Sequence, residues 1–334
     1  ASRINLQRIN GKLFTQINSA LGVPTTDGNT PVFWRSHGYL GRVNYAYDDK
    51  YLLTLTGRID QDSRFGPAYR TGYFPSAAAA WRISKENFFH VNWINDLKLR
   101  GSYGKLGFSA VLGSWDYIGV LNNNSRAVYG QSQAPHVGQY QAAIVDPDLH
   151  WETRIQQDLG FDAKLRDNKV SVTFDDYRSR SRHVLLALAL PDYLGSVATA
   201  AANAGAIKNS GIELAMTYTK DARPFQWSVS GNLTTIKNRV LSVGNQGTDA
   251  SGHQINYLQR NDFMRSEVGH AIGAWYVIKT DGIFQSQDEI DSYVNKDGTV
   301  VQPNARPGDI RYVDANGDGK IDYNDGQFEG SPWP

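Results

Sequence analysis

The stretch Tyr39 to Asp60, YLGRVNYAYDDKYLLTLTGRID, decides the fold. Its first half alternates apolar or aromatic residues with polar ones, which is the two-residue period of a β-strand. The alternation resumes after Asp48, Asp49 and Lys50, so the stretch predicts a hairpin of two strands with one apolar and one polar face. Tyrosines gather near the turn in both strands. Strands of about ten residues with these two faces and an aromatic cluster at one end are typical of a pair that crosses a lipid bilayer.

Composition limits the class of protein. The chain has 334 residues, a formal net charge of +1 and 20% charged residues, and its Lys and Arg are spread along the sequence. It lacks the concentrated basic run of a nucleic-acid-binding protein, so no nucleic-acid partner is expected. There are no cysteines, which excludes thiolate zinc sites and disulfide scaffolds and is compatible with an oxidising compartment.

The sequence contains no run of about 18 apolar residues, so no transmembrane helix is predicted. A transmembrane barrel is polar on average, because lipid-facing and lumen-facing residues alternate along each strand. The 32 glycines, 18 tyrosines and 8 tryptophans fit such a barrel better than they fit a helical enzyme. The N-terminal ASRINLQRIN has no signal-peptide pattern, so we expect the chain to start after processing or to be a piece of a longer protein.

Six further stretches alternate in the same way, and with the hairpin they predict about eight strands: Gly72 to Ser84, Leu97 to Tyr103, Trp151 to Leu165, Val170 to Leu186, Gly211 to Thr219 and Phe225 to Leu233. Short and long connections alternate between them, as they do in outer-membrane barrels with tight periplasmic turns and long outer loops. The predicted fold class is all-β, an antiparallel transmembrane β-barrel segment of about eight strands with long extracellular loops.

This pattern also predicts an organisation and an orientation. Residues 1–37 form an entry segment, residues 38–237 the barrel strands and their connections, and residues 238–334 a long extracellular loop region. We expect the tyrosine-rich turn at the periplasmic rim and the row of Leu53 and Leu55 against lipid. The polar face is expected to line the lumen through six charged residues: Arg42, Arg58, Arg82, Arg100, Glu152 and Arg154.

Residues 314–325, DANGDGKIDYND, have the spacing of a twelve-residue calcium loop. The predicted ligands of a structural Ca²⁺ are Asp314, Asn316, Asp318, the carbonyl of Lys320, Asp322 and Asp325, with Gly319 at the turn position. Two features depart from the pattern: the last position is Asp instead of the usual bidentate Glu, and the preceding GDIRYV predicts a strand where a helix is usual. The alternative is a loop of Asx turns held by its own backbone hydrogen bonds.

Motifs for catalysis are absent. The seven histidines are scattered, and the sequence has no HExxH, Walker or GxSxG pattern, so we predict that the chain is not an enzyme. Two alternatives stay open on the residues alone. One is a soluble secreted β-rich protein that binds carbohydrate through the loop aromatics Trp115, Tyr117, Tyr129 and Tyr140. The other is a β-rich glycosidase with a carboxylate pair at Asp60 and Asp62 or at Asp175 and Asp176.

Several runs together resemble the SusC-like, or RagA-like, TonB-dependent transporters of Bacteroidetes outer membranes: YLGRVNYAYDDKYLLTLTGRIDQDSRFGP, GYFPSAAAAWRIS, LKLRGSYGKLG, WETRIQQDLGFDAKL, NAGAIKNSGIELAMTY, VGHAIGAWYV and PGDIRYVDANGDGKIDYND followed by GSPWP. They occur in the order of the family and cover most of the chain.

This resemblance implies a location in the bacterial outer membrane and a 22-strand-type barrel that imports oligosaccharides or peptides. It also implies two partners, a SusD-like surface lipoprotein and the TonB–ExbB–ExbD system. The plug domain and TonB box, which precede the barrel in the family, and the terminal barrel strands have no counterpart in the sequence. We therefore expect an internal fragment of the barrel.

Overall fold

The computed structural model describes residues 8–9, 12–13 and 33–330, except 110–111, 114–115, 120, 130–133, 142, 188–197, 200, 223, 245, 249–253 and 262. Trp115 and the last residues of the GSPWP run therefore lie outside the described residues. Within them, no helix is long and apolar enough to cross a membrane.

The first fifteen strands are β1 (Arg8–Ile9), β2 (Lys12–Leu13), β3 (Ser36–Tyr47), β4 (Tyr51–Asp62), β5 (Thr71–Arg82), β6 (Ile94–Phe108), β7 (Leu121–Tyr129), β8 (Ala134–Gln141), β9 (Ala143–Ile144), β10 (Glu152–Leu165), β11 (Val170–Ala187), β12 (Ala198–Thr199), β13 (Ala201–Ala222), β14 (Phe225–Thr234) and β15 (Lys237–Val243). Nine of them form one sheet in the order β14, β13, β11, β10, β6, β5, β4, β3, with β15 also paired to β13. We call this sheet the wall. Every pairing in the wall is antiparallel.

The last two strands of the wall share one neighbour. Strand β14 pairs with Glu213 to Ala222 of β13, and β15 pairs with Gly205 to Ser210 of the same strand. They are therefore two parts of one broken edge strand. The boundary predicted between residues 237 and 238 falls at the start of β15.

Two connections at one end of the wall are tight turns. Residues 48–50 join β3 to β4, and residues 166–169 join β10 to β11. In the first turn Asp48 and Asp49 both have φ of +51°, and a positive φ at both central residues gives the turn the twist that matches its flanking strands. The connection from β5 to β6, residues 83–93, lies at this end too, whereas those from β4 to β5, from β6 to β10 and from β11 to β13 lie at the opposite end. We call the two ends of the wall the turn end and the loop end.

Strand β5 has a proline next to the point where its pairing with β6 begins. It pairs with β4 from Thr71 onward, but with β6 only from Ser76 onward. Pro75 therefore lies just outside the β5–β6 ladder, where its missing N–H removes no bond to β6. Toward the loop end, the ring of Phe74 packs against Trp151, with the ring centroids 5.4 Å apart.

Residues beyond the wall form a separate unit, which we call the outer unit after its predicted location. Its strands are β16 (Tyr257–Asn261), β17 (Met264–Glu267), β18 (Ala274–Ile278), β19 (Thr280–Ile283), β20 (Ile310–Tyr312) and β21 (Gly326–Glu329), with one helix, α1 (Gln287–Ser292). Phe284, Ile290 and Val301 are buried in it. Two backbone hydrogen bonds join it to the wall edge. The N–H of Val240 donates to the carbonyl of His270, and the N–H of Gly269 donates to the carbonyl of Val240.

Candidate functional site: a two-faced wall and its outer mouth

One face of the wall is apolar across its strands. The register places Val43 opposite Leu55, and Leu55 opposite Ala77, so apolar positions continue from strand to strand. Val43 is 64% exposed and Leu55 is 46% exposed. A contiguous exposed apolar surface on a protein marks a contact with a membrane or with another protein. Its alternation with a polar face is the pattern of a barrel wall against lipid.

Aromatic side chains form a rim at the turn end of this face. Tyr51 stacks between Tyr47 and Trp81, with ring centroids 6.4 Å and 6.5 Å away. The Tyr51 hydroxyl and the Trp81 indole N–H both donate to Glu86 Oε1, at 2.6 Å and 2.9 Å. These hydrogen bonds, that of Tyr51 first, hold the pKa of Glu86 below its usual value. An amphipathic aromatic rim is typical of a membrane–water interface.

The other face of the wall is polar, and the register places all six predicted lumen residues on it. Arg42 lies opposite Thr56, Arg82 opposite Lys98, and Glu152 opposite Phe108. Since residues two apart on a strand share a face, Arg58, Arg100 and Arg154 belong to the same side. That this side lines a lumen stays a prediction.

Three of the six side chains make hydrogen bonds near the ends of the wall. Arg82 Nη1 donates to Asp49 Oδ2 at 2.9 Å, and Asp49 also accepts from Lys85. The Lys85 hydrogen bond, followed by the charge of Arg82, lowers the pKa of Asp49. At the loop end, Arg154 Nε donates to Ser179 Oγ at 2.6 Å, and Glu152 Oε2 accepts from the backbone N–H of Leu185 at 3.4 Å. These arginines fix the turn and the strand ends as well as setting the charge of the face.

Arg100 is the centre of a charged cluster that the sequence did not reveal. Its Nη1 lies 2.6 Å from Asp175 Oδ1 and 3.5 Å from Asp158 Oδ1, and its Nε lies 3.3 Å from Asp162 Oδ2. Lys98 pairs with the same Asp162 at 2.9 Å. The period of two predicts a polar face for each residue, but only the register shows that three strands bring them together.

A hydrophobic cluster lies at the loop end of the wall, and we call it the mouth cluster. Its buried members are Phe65, Leu112, Leu149 and Leu185, and Tyr69, Tyr117 and Trp151 pack against them. They come from the β4–β5 connection, the connection after β6, the approach to β10 and strand β11. The outer connections are thus packed against one another, although their sequences show no period.

A buried ion pair supports the mouth cluster. Asp62 is 2% exposed, and Arg64 Nη2 lies 2.6 Å from its Oδ2. The same guanidinium donates to Ser109 Oγ at 2.9 Å and to the carbonyl of Leu112 at 3.3 Å, and it lies 4.6 Å from the ring centroid of Trp34. Arg64 therefore joins the β4–β5 connection to the one after β6.

The aromatics proposed for sugar stacking do not form one platform. Tyr117 packs into the mouth cluster and accepts a hydrogen bond from Arg70 at 3.3 Å, while Tyr140 is exposed. Trp115 and the side chain of Tyr129 lie outside the described residues.

The predicted calcium loop closes on its own backbone. Asp314 accepts from Gly317 N at 2.7 Å and from Gly319 N at 2.9 Å. Asp325 is fully buried; its Oδ1 accepts from Ala315 N at 2.9 Å and its Oδ2 from Asp322 N at 2.8 Å. Asn316 and Asp318 make Asx-type bonds two residues ahead. Among the described residues, no group of three or more His, Asp or Glu side chains is placed to hold a metal ion.

Together the apolar face, the aromatic rim and the charged opposite face define the wall of a transmembrane β-barrel. The family model of the TonB dependent receptor-like β-barrel matches residues 5–327. The chain belongs to this family.

Relatives and solved structures agree with this assignment. The chain is 33% identical over 298 residues to TonB-dependent receptor P26 of Formosa agariphila, covering 89% of this chain and 29% of that protein. It is 29% identical over 297 residues to TonB-dependent receptor SusC of Bacteroides thetaiotaomicron, covering 86% of this chain and 27% of SusC. The RagAB peptide importer in its "closed-closed" state matches with a TM-score of 0.64 at 21% identity, over 89% of this chain and 29% of that one.

The chain thus spans less than a third of the length of these relatives. Family membership confirms the predicted β-barrel fold and the location in the bacterial outer membrane. It also confirms that the chain is not an enzyme, because the family consists of receptors and transporters. The soluble carbohydrate-binding protein and the glycosidase, our two alternatives, do not fit a member of this family.

Proposed function

We propose that the full protein imports nutrients across the outer membrane and that this chain supplies part of its barrel wall and outer mouth. The observation that carries the proposal is the wall itself, with an apolar face for lipid and a charged face for an aqueous passage. The mouth cluster gives the outer connections a packed base, which suits a surface that receives a ligand from outside.

The proposed substrates are oligosaccharides or peptides. A SusD-like lipoprotein would cover the outer mouth, and TonB with ExbB and ExbD would supply energy through the inner side of the full protein. The named relatives support this proposal, since one is SusC and another is the RagAB peptide importer.

Uptake by cells that carry or lack the full-length receptor tests the proposal. Labelled oligosaccharide and peptide mixtures should accumulate only in cells with the receptor, and a protonophore should abolish the difference. Equal uptake in both strains would contradict import. Purification of the tagged receptor in mild detergent should recover a lipid-anchored partner, and recovery of the receptor alone would remove the lipoprotein from the proposal.

Calcium binding by residues 314–325 remains a separate proposal. The alternating oxygen-bearing side chains support it, whereas the backbone hydrogen bonds of Asp314 and Asp325 show that the loop can hold its shape through its own contacts. Protease protection of the loop in the full-length receptor should rise on addition of Ca²⁺ if the proposal holds. Protection that is the same with Ca²⁺ and with chelator would end it.

A further inference from the structure

The apolar face of the wall becomes basic toward the loop end. The register aligns one residue from each of β6, β10, β11, β13 and β15 in a single row: Lys105, Ile155, Arg180, Lys208 and Arg239. Four of these five residues are basic. The adjacent rows on the same face add three more, and we call the whole set the basic patch: Lys105, Arg178, Arg180, Arg182, Lys208, Lys237 and Arg239.

The basic patch lies on the lipid-facing side of the wall. Phe174 pairs with Leu214 in the apolar region, and Arg180 and Lys208 are each six residues further along the same strands. An even separation keeps them on the same face. Between the two levels, Leu159 and Ile212 are 68% and 40% exposed. The patch is thus continuous with the apolar surface and follows it toward the outside.

Its height matches the headgroup layer of a membrane. Strands rise about 3.4 Å per residue, so Lys208 lies about 14 Å along β13 from Ile212. With the tilt of about 40° usual for barrel strands, this corresponds to about 10 Å above the apolar level. A row across five strands at about 4.8 Å spacing is about 19 Å wide, which is broad enough to face more than one phosphate group.

The charges of the basic patch are largely unneutralised by protein. Arg178 pairs with Asp176 at 3.3 Å, and Arg239 Nε donates to the carbonyl of Gly269. The side chains of the other five members make no hydrogen bond or ion pair with any residue in the described part of the chain. Arg180, Lys208 and Arg239 lie directly opposite one another, and like charges in such positions destabilise a sheet. On this face the strands of the patch carry one acidic residue, Asp176, which lies in the row of Leu159 and Ile212; Asp158, Asp162 and Asp175 lie on the opposite face, around Arg100.

We propose that the basic patch binds the phosphate groups of the glycolipid in the outer leaflet of the outer membrane. Anionic phosphates would neutralise the opposed charges, and arginine and lysine suit phosphate oxygens. The patch continues the lipid-facing surface, which favours a lipid headgroup over a soluble acidic partner. This inference rests on the proposed orientation, with the loop end outside, and does not depend on which nutrient is imported.

A double variant of the full-length receptor, Arg180→Gln with Lys208→Gln, tests the proposal. Its control, Lys296→Gln with Arg306→Gln, removes the same charge from exposed positions of the outer unit. Binding of lipopolysaccharide, and of its dephosphorylated form, is measured on the purified receptors, and native mass spectrometry counts the lipid retained from the cells. Each charge removed from the patch should weaken lipopolysaccharide binding about fivefold, and the control should bind as the parent does.

Several outcomes would overturn the proposal. These are equal binding by both double variants, equal binding of the dephosphorylated lipid, displacement of the lipid by millimolar inorganic phosphate, or an acidic protein cross-linked to the patch in place of lipid. If the double variant fails to fold, the single Lys208→Gln variant serves instead, because this side chain has no partner to lose in the described structure. Nutrient uptake is measured in the same cells, so a receptor that binds the lipid but imports nothing would contradict only the proposed function.

Discussion

A glycine of β13, Gly211, leaves room for the backbone at the break between β14 and β15. A Cβ added to Gly211 would lie 1.9 Å from the carbonyl oxygen of Thr235, and that residue is held by a backbone hydrogen bond from Thr235 N to Ile212 O of 2.9 Å. Gly211→Ala should therefore destabilise the folded receptor by about 1–3 kcal/mol, since a backbone group cannot move aside without losing this bond. The measurement is the temperature at which the full-length receptor loses its folded, heat-modifiable gel band. Gly231→Ala is the control, because nothing lies within 4 Å of its added Cβ; similar losses in both would contradict the account.

Asp325 organises residues 314–325 from inside. Replacing it by Ala leaves the backbone N–H groups of Ala315 and Asp322 without the acceptor that they have now, and each of these part-buried hydrogen bonds is worth about 1 kcal/mol. Asp325→Ala should therefore open the loop to protease in the absence of Ca²⁺. Asp318→Ala changes an exposed residue and should leave that cleavage rate unchanged. A strong effect of Asp318→Ala that appears only when Ca²⁺ is present would instead favour the metal.

At the scale of the strand, the two faces of β4 should respond in opposite ways to a charge. Leu55 lies in the middle of the apolar face and Thr54 beside it on the polar face. An arginine on the lipid side near the bilayer midplane costs about 2–4 kcal/mol. Leu55→Arg should lower the folded fraction of the full-length receptor in outer membranes, whereas Thr54→Arg should not. The heat-modifiable band measures both, and equal loss would mean that the apolar face does not meet lipid.

The buried ion pair of Arg64 and Asp62 should stabilise the outer connections more than an exposed ion pair of the same length does. Removing its side chain leaves the carboxylate of Asp62 buried without its cation, at a cost of about 3 kcal/mol. Arg64→Ala should therefore increase protease cleavage of the connections around the mouth cluster. Arg58→Ala removes an equally spaced pair with Asp60, but Arg58 is 59% exposed, so water screens this pair and its loss should cost much less. Equal sensitivity of the two variants would show that burial of the pair has no effect.

The wall strands are predictable from sequence where lipid requires alternation, and less so beyond it. The hairpin of β3 and β4 agrees with its prediction almost residue for residue. Strand β13, in contrast, begins at Ala201, ten residues before the predicted strand Gly211 to Thr219, because its first residues, AANAGA, do not alternate. Strands β7 and β8 lie between the predicted strands Leu97 to Tyr103 and Trp151 to Leu165, where the sequence has no alternation and predicts no strand. Outside the bilayer, pairing of the backbone is enough to extend a strand, and no face has to be apolar.

At the scale of the molecule, the sequence predicts which residues share a face but not which residues meet across strands. Arg42 and Arg58 are placed correctly on the polar face by their period alone. The cluster around Arg100 depends on Asp175, which is 75 residues away, and the register that joins them is a property of the whole sheet. The sequence does not predict the basic patch for the same reason, since the register brings together members that are dispersed along a chain of net charge +1.

The orientation of the wall determines the meaning of both ends, and it can be tested directly. If the turn end is periplasmic, Asp167 in the turn after β10 is shielded from the medium, whereas Lys296 in the outer unit is accessible to it. The chain has no cysteine of its own, so Asp167→Cys and Lys296→Cys each add one thiol to it, and any cysteines elsewhere in the full-length receptor are replaced. Both positions are exposed on the molecule, so both should react with a membrane-impermeant maleimide once the cells are broken. On intact cells only Lys296→Cys should react. Labelling of Asp167→Cys alone would show that the wall has the opposite orientation. The mouth cluster would then lie in the periplasm, and the basic patch would not face the outer leaflet.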